Sequence, residues 1–195
     1  MPGASVERPT HTNTSWDKAR WEVPMLRWVN LDEGDYGVAV LSDFKHGVSV
    51  KYSCVGISIT KTPIYPDPHT DTESTEAHIR IYPHTGTWRQ AEVYKRAYEM
   101  ATPIITLKAS PQRKSFLKCD QLVLEAIKQP EEGRGVILRF YDPLNVRGKA
   151  KIRVWFTPTK AVKADLVELR ELDSLKVRHD EVEVDYKTSK WLLYA

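Results

Sequence analysis

The chain of 195 residues carries 29 Lys and Arg against 26 Asp and Glu, a net charge of +3 that excludes the concentrated positive field of a nucleic-acid or membrane-surface binder. Its length accommodates one large domain or two small ones, and two cysteines without CxxC partners, Cys54 and Cys119, spell neither a disulfide framework nor a zinc cluster. No apolar run is long enough to span a bilayer and the polar opening segment lacks a secretory leader's apolar stretch, so a soluble protein of a reducing, cytoplasmic compartment is expected.

Apolar side chains alternate by two through Gly37–Leu41, Val55–Thr60 and His78–Tyr82, the pattern of half-buried strands. Turn residues at Glu33-Gly34-Asp35, His46-Gly47 and Pro63–Pro68 separate these runs. Between Trp88 and Met100 the period changes. Trp88, Ala91, Tyr94, Ala97 and Tyr98 fall at helical spacing, and Pro103 ends the stretch. The polar segment Ala109–Ser115 reads as a linker. Beyond it, strands are expected at Leu122–Ile127, Gly135–Tyr141, Ala150–Phe156, Ala161–Leu169, Glu181–Asp185 and Lys190–Tyr194. The expected fold is all-β, with two packed β-sandwich units and one short helix between them. The larger unit is placed at residues 1–108 and the smaller, terminal one at 109–195.

Chemistry-bearing residues are present without a pattern that assigns them. His69, Asp71, His78 and His84 match no metal-cage spacing and read as solvated loop residues. GxSxG, HExxH, P-loop and GxGxxG motifs are absent. Asp32, Glu33, Asp35 and Asp43 offer carboxylates, but an acid and a base for glycoside hydrolysis must be paired by the fold, not by proximity in sequence. No catalytic residue and no metal ligand is assigned. Trp16, Trp21, Trp28 and Trp88 all lie in the first half. Indole faces suit the C–H face of a sugar ring, although in a sandwich they more often fill the core.

Four longer segments are more specific. Arg8–Val23, Asn30–Gly47, Pro63–Asp71 and Ile81–Trp88 resemble, in the same order and at similar spacing, the C-terminal β region of the family 38 glycoside hydrolases, the α-mannosidases. The Gly133–Tyr141 and Trp191–Tyr194 segments are similar to the small sandwich that closes those enzymes. The resemblance implies a noncatalytic β domain or accessory subunit that supports a catalytic barrel, in cis or in trans, and helps to wall a mannoside pocket. The barrel of that family, with its zinc and its nucleophilic Asp, has no counterpart among these 195 residues, so no cofactor is expected in this chain. By the same resemblance the Ser42–Gly47 and Pro63–Asp71 loops face sugar, with Asp43, Lys45, His46, Asp67 and Asp71 as substrate-binding residues. Carboxylates would accept hydroxyl hydrogen bonds and Lys45 would donate them. Several positions depart from the family pattern: Ser42 replaces Asn, Phe44 a small residue, His46 Tyr, Glu73 Gly and Thr75 His. A free-standing carbohydrate-binding sandwich and a diverged interaction domain without sugar binding are the alternatives.

Overall fold

The computed structural model describes residues 4–70, 72–106, 108, 115–131, 135–187 and 190–194. They fall into two compact units, one from Val6 onward and one from Lys108 onward, the second also taking in Ser5.

The first unit opens with a single helical turn, α1 (Ser15–Lys18), that the sequence periodicity does not reveal. Its start is fixed reciprocally: the Asp17 backbone N–H donates to Thr14 Oγ1 at 3.1 Å and the Thr14 backbone N–H to the Asp17 carboxylate at 3.2 Å. Strands β1 (Val23–Pro24), β2 (Trp28–Asp32), β3 (Tyr36–Ser42), β4 (Gly47–Lys51), β5 (Cys54–Ser58) and β6 (Ile79–Thr85) follow, and then helix α2 (Val93–Ala101). They form two antiparallel three-stranded sheets, ordered β1-β4-β5 and β2-β3-β6. In the second of these, the register aligns Trp28 with Leu41 and Arg80, and Asn30 with Ala39 and Tyr82. Ala39 and Leu41 on that face pack against Val93 and Ala97 of α2, with Trp28, Tyr82, Trp88 and Met100 around them. The Trp28 and Trp88 rings lie 5.1 Å apart.

The helix begins five residues later than its periodicity indicates. Thr87 to Ala91 form their own turn, with the Ala91 N–H donating to the Thr87 carbonyl at 3.0 Å. Glu92 then takes a left-handed conformation, φ 50°, which interrupts helical hydrogen bonding before α2 starts. Trp88 and Ala91 still reach the core from that turn, which is why the apolar spacing looks continuous.

The second unit contains β7 (Leu117–Lys118), β8 (Val123–Lys128), β9 (Ile137–Tyr141), β10 (Gly148–Val154), β11 (Val162–Ala164), β12 (Glu171–Ser174), β13 (Lys176–Arg178), β14 (Glu181–Tyr186) and β15 (Lys190–Tyr194). They form antiparallel sheets ordered β13-β14-β10-β7 and β12-β11-β15-β9-β8. Leu138 and Phe140 from one sheet share a core with Ala150, Ile152, Val154, Val182 and Val184 from the other. This is sandwich packing, built from alternating inward-facing residues of both sheets. The protein is all-β, with two short helices.

One expected strand is cut short. The run from Ala161 to Leu169 stays extended only to Ala164, because the Asp165 side chain then takes up backbone donors. Its Oδ1 accepts from the Leu169 N–H at 2.9 Å and the Arg170 N–H at 3.4 Å. Glu168 sits at φ 66° in the resulting turn. Its carboxylate folds back to Lys128 Nζ at 3.0 Å and Arg139 Nη2 at 3.3 Å, leaving Leu166, Val167 and Leu169 in solvent.

Candidate functional site

The turn joining β3 to β4 carries three of the residues singled out by resemblance. Ser42 is buried at the end of β3, and its Oγ accepts from the Lys45 N–H at 3.0 Å, closing the turn. Asp43 Oδ1 accepts from the Phe44 N–H at 2.8 Å and the His78 N–H at 3.4 Å, while Oδ2 lies 2.8 Å from His78 Nδ1. His78 Nε2 is in turn 3.5 Å from the Glu76 carboxylate. Partial desolvation pushes the Asp43 carboxyl up, but the bonds from the His78 ring and from the Phe44 and His78 amides outweigh it and hold the group below the usual carboxylate range. The hydrogen bond to Asp43, followed by the charges of Asp43 and Glu76, raises His78 above its ordinary value. Lys45 is half-buried, its Nζ 4.7 Å from the centre of the exposed Phe44 ring. His46 is exposed, and its carbonyl accepts from the Met25 N–H at 2.8 Å.

The Pro63–Thr70 loop is a separate feature. Asp67 is exposed and organises its own turn: Oδ1 accepts from the His69 N–H at 2.9 Å, and its carbonyl accepts from Thr70 Oγ1 at 2.8 Å. Asp71 lies outside the described residues. Among the described residues, no hydrogen bond or ion pair joins Asp67 to Asp43, Lys45 or His46.

His84 departs from the expectation of a solvated loop residue. It is buried on β6, with Nε2 2.8 Å from Asn30 Oδ1 and Nδ1 3.1 Å from the Gly86 carbonyl. Asn30 is oriented by donating Nδ2 to Asp32 at 2.7 Å. His84 also lines an open depression of about 670 Å³, together with Tyr36, Tyr82, Thr85, Gly86 and Gln90. The signal that could have placed it was alternation: Tyr82 and His84 share a face if the strand runs through Pro83. His78 as partner to Asp43 had no such signal, being 35 positions away.

Among the described residues, no group of three His, Cys, Asp or Glu side chains could hold a metal ion. No helix among them is long and apolar enough to cross a membrane. The tryptophans divide, since Trp28 and Trp88 are half-buried whereas Trp16 and Trp21 are 78% and 77% exposed.

Comparison with known proteins gives this arrangement a context. Residues 1–69 match the model of the glycosyl hydrolases family 38 C-terminal domain, and residues 121–189 match the family 38 C-terminal beta sandwich domain. Together they take in more than half of the sequence. The chain belongs to the C-terminal region of glycosyl hydrolase family 38. This region is 34% identical over 172 residues to alpha-mannosidase 2C1 of Homo sapiens, covering 84% of the chain and 16% of that relative. It is 35% identical over 146 residues to alpha-mannosidase G of Dictyostelium discoideum, covering 70% of the chain and 13% of that relative. Its fold superposes on the crystal structure of an alpha-mannosidase from Enterococcus faecalis V583 with a TM-score of 0.66, at 13% identity, covering 97% of this chain and 23% of that one. The family 38 region thus spans a small fraction of each of these proteins.

Proposed function

We propose that this region is the noncatalytic C-terminal β domain, or accessory subunit, of an α-mannosidase, supporting a catalytic barrel in cis or in trans and lending loops to the wall of its mannoside pocket. The observation that carries the reading is the likeness to α-mannosidases along most of the chain, extending through both units. Zinc and the nucleophile would reside in the barrel. Within this region the Asp43 turn is the best-built sugar contact, because His78 and two amides fix its carboxylate while leaving acceptor capacity for a hydroxyl. Lys45, two residues on, supplies donors and a compact positive charge beside an aromatic ring.

The test combines the full chain with a separately produced barrel chain and follows release from an aryl α-mannoside. Activity above that of the barrel alone is expected, and no gain rejects the role. Asp43→Ala, in an assembly that still forms, should raise KM with little change in kcat if the turn binds substrate. An unchanged KM removes Asp43 from the pocket.

The exposure of Trp16 and Trp21 favours a second reading, a carbohydrate-binding surface that works without a barrel. Titration calorimetry of the free chain with mannosides tests it, and silence at millimolar sugar rejects it.

A further inference from the structure

The β2-β3-β6 sheet carries apolar side chains on both faces, with Asn30, Asp32, Arg80 and His84 sharing the α2 face with Trp28, Ala39, Leu41 and Tyr82, unlike an antiparallel sheet that turns a polar face to water. Its register puts Val29, Leu31, Val38, Val40, Ile79 and Ile81 on the face opposite the one that packs on α2. Strand β3 shows the contrast within a single element. Ala39 and Leu41 are fully buried against the helix, whereas Val38 and Val40 remain half-buried, and Ile81, paired with Val40, is 69% exposed. None of the six carries a charge, and Ile79 and Ile81 lie on an edge strand, where natural sheets ordinarily place charge or cover. A contiguous apolar face of this kind marks an interaction surface.

We infer that this face is the seat for the rest of the α-mannosidase chain, apolar surface against apolar surface. The inference rests on the role proposed above and adds which surface makes the contact. Two observations select the occupant. The human and Dictyostelium relatives hold the matched stretch as 16% and 13% of their length, so most of their polypeptide lies outside it and is available to cover the face. The middle of this face, Val29, Leu31, Val38, Val40 and Ile81, offers no ionisable group and no hydroxyl, Tyr36, Ser42 and Thr85 lying at its ends, which suits an apolar protein surface better than a sugar, whose hydroxyls need partners.

The probe is the human alpha-mannosidase 2C1 chain cut ahead of the stretch that this chain matches, co-expressed with the full 195-residue chain. The wild-type chain should be captured, and capture should survive about 1 M salt, where charge attraction is screened within about 3 Å. Ile81→Glu should lower capture by about tenfold or more, Ile81→Val should retain it, and Leu169→Glu, on an exposed turn of the second unit, should leave it unchanged. Equal circular dichroism of the free variants shows that folding is intact. Ile81→Cys supplies a second readout: its thiol should alkylate readily in the free chain and about tenfold more slowly in the complex. Undiminished capture of Ile81→Glu, or unchanged alkylation, overturns the assignment of the face and leaves the proposed role standing. Absence of wild-type capture overturns both. Self-association through Ile81, in preference to the relative, overturns the choice of occupant.

Discussion

In the second unit, Leu138 and Phe140 of one sheet meet Ile152, Val154, Val182 and Val184 of the other, so each sheet covers the apolar face of its neighbour. In the first unit, the sheet built on β3 has α2 over Ala39 and Leu41, while Val40 and Ile81 on its opposite side stay partly open. A domain is stable when every apolar face meets another layer. For the core between its two sheets the second unit satisfies that condition from its own strands, and the first meets it on the α2 side of β3. The sharpest test of this difference is core truncation. Phe140→Ala should cost the second unit about 3–5 kcal/mol, and Leu41→Ala should cost the first about 2–5 kcal/mol. Hydrogen exchange read by mass spectrometry reports each unit separately. Covering the open face with the α-mannosidase probe should restore protection to Leu41→Ala and not to Phe140→Ala. Equal rescue of both would break the comparison.

A pair of glycines sharpens it at lower cost. Gly37 on β3 lies opposite His84 on β6, and Gly148 on β10 lies opposite Tyr186 on β14. In each case a ring occupies the space that a side chain would need. An added Cβ would stand 2.5 Å from His84 Cε1 at Gly37, and 2.7 Å from Tyr186 Oη at Gly148. Alanine at either position should cost about 1–3 kcal/mol by overpacking. Gly148→Ala should act on stability alone, because Tyr186 is buried in the sandwich. Gly37→Ala should also displace His84 from Asn30, seen as a change in the His84 ring resonances. Unchanged resonances would mean that the depression beside Tyr36 is more pliant than its hydrogen bonds indicate.

Part of the second unit was legible because the inward residues of β10 and β14 alternate without interruption. Ile152 and Val154 on β10, and Val182 and Val184 on β14, are buried at every second position. Strands such as Lys176–Arg178 offer a single apolar residue and therefore no period to read. His84 was hidden by Pro83, which ordinarily argues against a strand. It is tolerated because β6 is an edge, where a missing N–H breaks no ladder on the open side. The turn at Asp165 and the left-handed Glu92 lack the Gly or Pro that usually announces such breaks. At the candidate site, the loop bearing Asp43 was found by resemblance. Its partnership with His78 depends on β3 and β6 lying side by side, which no local pattern encodes.

The Glu168 turn shows how the sandwich handles a tucked-in charge. The Glu168 side chain is only 8% exposed, yet Lys128 and Arg139 keep 35% and 31% of their side-chain surface, so solvent screens the pairs. Glu168→Gln should therefore perturb stability less than either glycine substitution. Its signature should be local, as faster exchange of the Leu169 and Arg170 amides that Asp165 holds. A global loss comparable to that of Phe140→Ala would instead make this turn part of the core.

The smallest expected effect lies at the edge of the open unit, where Asp43 meets His78. The sign follows from the direction of each shift. Asp43 is held below its ordinary value, so its contribution is present above about pH 3.9 and is lost as pH falls through the lowered folded value. His78 is raised, so its contribution is complete below about pH 6.5 and is lost as pH rises through the folded value. The pair is therefore strongest between about pH 4 and pH 6.5 and weakens on either side. In Asp43→Asn the His78 ring should titrate at lower pH than in the wild type, measured by NMR, because both the hydrogen bond and the adjacent charge that raise it are altered. The exposed ring lets water compete for the same bonds, so global stability should scarcely move. Coincident titration curves would show that the Asp43 turn is held by its amide bonds alone. The carboxylate would then be free of His78, and the case for a fixed sugar acceptor at this position would rest on the backbone of residues 42–45.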